Sequence, residues 1–124
     1  MTRAAEIEKL LARVSSACAR LPESTTERRG DHAAFRVRKK VFAYWLNNHH
    51  GDGIVSVCVK SELGENEDRA RTHPGKYYLP AYLGKRGWFG LYLDRGPVEW
   101  REVQEVIELS YRLVAPKTLI SRMP

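Results

Sequence analysis

The sequence predicts an α+β fold of two layers, a mainly antiparallel sheet packed by helices, with elements in the order α-β(3)-α-β(2)-α. Three observations carry this. Apolar residues recur at helical spacing in the first and last segments, three strand-like segments with short turn-rich links follow the first of them, and no repeat or low-complexity tract breaks the order. At 124 residues, 43% apolar and 29% charged, the chain has the size and composition of a single globular domain, 1–124.

Residues 4–21 set Ile7, Leu10, Leu11, Val14, Cys18 and Leu21 on one helical face, with Glu6, Glu8, Lys9 and Arg13 on the other. Leu21-Pro22 ends this helix, because the residue before a proline is pushed out of the α region. "PESTTERRGDHA" is polar and turn-rich and reads as a loop. In "AFRVR", Phe35 and Val37 point one way and Arg36 and Arg38 the other, while "KVFAYWL" is apolar on both faces. Arg38-Lys39-Lys40 turns between them, and "NNHHGDG" supplies the next turn, since Asn, Asp and Gly tolerate positive φ. "IVSVCVK" is the third strand, with Val55, Val57 and Val59 inward and Lys60 at its end.

A short helix is expected over 64–72, stopped by His73-Pro74. "KYYLP" then reads as a short strand that Pro80 ends or confines to an edge. In "GWFGLYLD", Phe89, Leu91 and Leu93 oppose Trp88, Tyr92 and Asp94. Gly96-Pro97 is expected to open the last helix, which carries Trp100, Val103, Ile107 and Val114 at helical spacing. Glu99, Glu102, Glu105 and Glu108 beside them read as a solvated face.

No run reaches the ~18 apolar residues of a membrane span. The stretch "MTRAAEIEKLLARV" is charged throughout, so it lacks the apolar core of a signal peptide. Cys18 and Cys58 have no C-x-x-C spacing and read as buried small hydrophobes in a reducing compartment. The expectation is a cytoplasmic monomer with no membrane association.

The motifs of catalysis are missing: no Gly-rich phosphate loop, G-x-S-x-G elbow or H-E-x-x-H occurs. "GKRG" lacks the spacing of a phosphate loop, and no Ser or Thr follows Lys85. His49-His50 falls in a hairpin turn, where adjacent side chains diverge and share a metal poorly. His32 stands just before a strand, as a buried partner or as a site residue. These readings predict no enzyme, no cofactor and no metal.

What remains is basic and aromatic. The net charge is +6, and from Arg28 to Lys40 six bases (Arg28, Arg29, Arg36, Arg38, Lys39, Lys40) face the single acid Asp31. Glu99 to Arg112 is by contrast acidic. Lys60, Lys85 and Arg86 add cations near strand ends, and Trp88 follows the last pair. Such a set can hold phosphates, with Trp88 or Tyr82 stacking on bases. The structural alternative is that Trp88 packs in the core or at an edge, and that the charges keep sheet edges from pairing.

The phrases "GDHAAFRVRKKVFAYW", "VSVCVKS", "YYLPAYLGKRGWFGLYLD" and "SYRLVAPK", in that order and over nearly the whole chain, resemble the MmcQ/YjbR family of small bacterial proteins. The resemblance implies a compact α+β domain of YjbR-like topology, related to the type III secretion chaperone fold and described as a double-wing DNA-binding motif. Residues matching its pattern are His32, Phe35, Val37, Lys40, Phe42, Lys60, Pro80, Tyr82, Leu83, Gly87, Trp88, Ser110, Tyr111 and Lys117. Where the family places glycine before the lysine, this chain has Arg38-Lys39, which implies a wider and more basic turn.

Three functions are therefore expected in competition. The first is DNA binding through Arg36, Arg38, Lys39, Lys40, Lys60, Lys85, Arg86 and Trp88. The second is a protein-interaction adaptor of chaperone-like fold. The third is an anion pocket of His32, Lys40, Lys60, Tyr82, Ser110 and Lys117.

Overall fold

The computed structural model describes residues 2–124, so Met1, the first residue of the expected domain, lies outside it. Helix α1 spans Arg3–Ala19 and is capped by the Thr2 hydroxyl, which accepts from the Ala5 amide at 3.1 Å. Strands β1 (Thr25–Arg29), β2 (His32–Val37), β3 (Lys40–Asn47) and β4 (Val55–Lys60) follow. Helix α2 (Glu65–Thr72), the two-residue strand β5 (Tyr77–Tyr78), β6 (Trp88–Tyr92), α3 (Trp100–Val114) and the short α4 (Lys117–Ile120) complete the chain. All pairings are antiparallel, in the spatial order β1-β2-β3-β4-β6-β5. The two-layer α+β architecture expected from the sequence is present.

Four details depart from expectation. The polar loop contains β1, whose residues are all exposed, so no alternation marked it; backbone pairing joins it to β2 as an edge strand, with an exposed Glu27–Arg36 contact across the pair. The β2–β3 turn is tight and not wide. Arg38 and Lys39 form the whole turn, both at positive φ (48° and 71°), the two-residue geometry that suits the twist of a hairpin. The last helix starts at Trp100 and not at Gly96-Pro97, because Val98 packs against the core and Glu99 is still extended. Finally, a short fourth helix seats Leu119 in the core.

One sheet face is covered by helices. On α3, Val103, Val106, Ile107, Ser110 and Tyr111 are buried, a stripe at three- and four-residue spacing. Val103, Val106, Ile107 and Tyr111 meet Val55, Val57 and Val59 of β4 and Phe35, Ala43, Trp45, Phe89 and Leu91 of neighbouring strands in one cluster. Phe42 is the extra residue of a bulge in β3 opposite Phe35 and Arg36, and it turns inward to meet Tyr111 edge to face at 5.3 Å. Ser110 repairs the ladder there. Its hydroxyl donates to the Phe42 carbonyl at 2.6 Å and accepts from the Lys60 amide at 2.9 Å.

The opposite face is sheltered by its own side chains. Tyr78 lies flat over Gly90, where an added Cβ would come within 2.1 Å of its ring. Its hydroxyl meets Ser56 Oγ at 2.7 Å and Cys58 Sγ at 3.5 Å. Burial pushes the Cys58 thiol up to about 11, so it stays protonated and acts as packing. Both cysteines are free and buried.

Candidate nucleic-acid interface

Antiparallel pairing decides where the loops go. The β2–β3 turn, the end of β4 and the start of β6 all lie at one end of the sheet, because Val37 pairs with Lys40, Ala43 with Val59, and Lys60 with Trp88. The basic turn Arg38-Lys39 and the basic loop Lys85-Arg86 therefore share that end. β3 and β6 are separated only by β4, two strand spacings, or about 10 Å.

Each loop is held rigidly. "LGKR" is a single 3-10 turn over Leu83–Arg86. Below it, the Asn66 amide of α2 donates to the carbonyls of Gly84 (2.8 Å) and Trp88 (3.0 Å). The Ser61 amide and hydroxyl both donate to the Gly87 carbonyl at 2.8 Å. Gly87 sits at φ +91°, and a Cβ there would fall 2.4 Å from the Ser61 carbonyl oxygen, so only glycine fits. Asn66 and Ser61 anchor the loop without having announced themselves in the sequence, since one buried polar residue on a short charged helix leaves no periodic trace.

The cations divide into paired and unpaired. Arg38 grips Glu23 with two prongs at 2.7 and 3.0 Å, which holds the Glu23 carboxyl below its ordinary range. Arg36 reaches Glu27 at 3.8 Å and the Lys39 carbonyl at 3.4 Å. Lys39, Lys40, Lys60, Lys85 and Arg86 have no ion-pair partner among the described residues. All but the half-buried Lys60 are exposed. The expected cationic set thus comes together at one end, with Arg36 and Arg38 already engaged.

Trp88 does not present a stacking face. It is buried, 5.4 Å from the Tyr44 ring, and serves as packing. Tyr82 is the exposed aromatic of this end, at 86%.

The expected anion pocket does not assemble around His32. That residue begins β2, whereas Lys40 pairs with its far end, five residues or about 17 Å along the strand. Ser110 is committed to backbone groups, and Lys117 is exposed at the start of α4. Strand register separated these residues, and register is not visible in a residue list.

At the opposite end His32 has other company. Its Nε2 lies 3.4 Å from His49 Nδ1, and the His49 and His50 rings are 3.9 Å apart between centroids. Among the described residues, no group of three or more His, Cys, Asp or Glu is placed to hold a metal ion. Partial burial first, then the neighbouring His50 and His32, lower the His49 pKa, with Asp52 opposing. The folded protein then releases this proton more readily than the unfolded chain, so stability falls as pH drops through the ordinary histidine value of about 6.5. His49→Gln is expected to flatten the loss of stability between pH 7 and pH 5 in urea titrations; an unchanged pH profile would contradict the assignment.

Among the described residues no helix is long and apolar enough to cross a membrane. The YjbR family model matches residues 19–113, which include every strand and most of α3. No curated protein matches the chain. A Deinococcus radiodurans protein of known crystal structure, DR2400, with the domain DUF419, superposes with a TM-score of 0.66 at 22% identity, covering 87% of this chain and 83% of that one. That family match spans well over half of the chain, and the chain belongs to the YjbR family.

Proposed function

We propose that this protein is a non-catalytic nucleic-acid-binding domain that holds phosphates at the basic end of its sheet. The observation that supports it is the convergence of Lys39, Lys40, Lys60, Lys85 and Arg86, on loops and strand ends about two strand spacings apart, with no ion-pair partner for them among the described residues. Structural charges on an exposed sheet edge do not require this. The edges here are β1 and β5, whereas these cations cluster where central strands end. A hairpin tip can follow a groove or a strand of phosphates, and its rigid two-residue turn reduces the entropy lost on binding.

Fluorescence anisotropy with labelled DNA at about 50 mM salt, where phosphate binding is strongest, tests the reading. Wild type is expected to bind, and a variant with Lys39, Lys40, Lys85 and Arg86 all changed to alanine to bind at least about tenfold more weakly. Absence of binding to DNA and RNA would overturn it. That result would leave the adaptor reading, which draws on the exposed Leu63, Leu109 and Leu113.

A further inference from the structure

Resting on the nucleic-acid reading, we infer that the basic end takes single-stranded rather than duplex nucleic acid, with Tyr82 stacking on an unpaired base while Lys85, Arg86, Lys39 and Lys40 hold phosphates beside it. Tyr82 has φ +67° and ψ −48°, and the Leu83 amide donates to the Ala81 carbonyl at 2.7 Å. This is a γ-turn of the positive-φ kind, rare and strained for any residue but glycine. Strain of this sort persists only where the surroundings enforce it, and it gathers at functional sites. Here the Pro80 carbonyl accepts from the Gly84 amide at 2.9 Å, and Asn66 and Ser61 fix the loop from below.

The strained turn holds a large ring out in water. Tyr82 is 86% exposed, its ring pairs with no other ring among the described residues, and its hydroxyl has no hydrogen bond there. Lys85 and Arg86 follow within the same loop and line with it an open depression of about 600 Å³. Cations alone suffice for a duplex backbone. A rigid aromatic among them gains only where the face of a base is open, and in a duplex those faces are closed by stacking.

The test uses a labelled mixed-sequence DNA of about twelve nucleotides, alone and annealed to its complement, at one salt concentration. Wild type is expected to bind the single strand at least about tenfold more tightly than the duplex. Tyr82→Ala should remove most of that difference, and Tyr82→Phe should preserve it, because the ring and not the hydroxyl does the stacking. Duplex binding as tight as single-strand binding, or a preference unchanged in Tyr82→Ala, would overturn this inference while leaving nucleic-acid binding intact. No binding of either form would overturn both.

Discussion

Gly87→Ala is expected to destabilise the fold by about 3 kcal/mol, combining left-handed backbone strain with overpacking. The position has φ +91°, and its new methyl would press on the Ser61 carbonyl oxygen from 2.4 Å. That oxygen is backbone at the end of β4 and cannot swing aside as a side chain could. Ser61 is in addition bound through its amide and hydroxyl to the Gly87 carbonyl, so any retreat breaks both hydrogen bonds. Urea unfolding gives the loss directly. Because Lys85 and Arg86 immediately precede this residue, the surviving folded protein should also bind DNA more weakly. Stability within about 0.5 kcal/mol of wild type, the usual range for a surface substitution, would show that the loop yields freely.

Ser110→Ala is expected to cost about 2 to 4 kcal/mol, since it strips two buried backbone groups of their partner at once. The β3 bulge pulls the Phe42 carbonyl out of the ladder, and the Lys60 amide opposite is left without a strand acceptor. One hydroxyl satisfies both, at 2.6 and 2.9 Å. Hydrogen exchange offers a local readout. The Lys60 amide should lose protection in the variant well beyond the amide of Val57, which sits in the intact ladder. Equal protection of Lys60 in both proteins would place its partner elsewhere.

Much of this fold was legible because burial writes periodicity into sequence. Ile7 to Leu21 announced α1, and Val55-Val57-Val59 and Phe89-Leu91-Leu93 announced the inner face of the sheet. β1 was hidden for the converse reason: its side chains are all exposed, and pairing of its backbone with β2 rather than burial makes it a strand. The Arg38-Lys39 turn resisted reading because neither residue favours positive φ, and the Glu23 carboxylate that braces Arg38 comes from fifteen positions away.

The site was legible in part. Clustering of Arg36 to Lys40 could be seen along the chain, but its meeting with Lys85-Arg86 depended on β4 and β6 being neighbours, which follows from topology. The choice between Trp88 and Tyr82 as the stacking ring was hidden for a similar reason. Both are aromatics near a basic step, and only the packing of Trp88 on Tyr44 separates the buried ring from the free one. His32 was grouped with Lys40 by family pattern, whereas register sends it to the far end beside His49.

The salt dependence of affinity tests the central claim most directly. For single-stranded DNA, the slope of log K against log salt is expected to be steep in wild type. It should flatten by about 0.7 for each phosphate no longer held, close to three in all for the variant lacking Lys39, Lys40, Lys85 and Arg86. A slope the same in wild type and variant would mean that these cations touch no phosphate, and the basic end of the sheet would not be the binding surface.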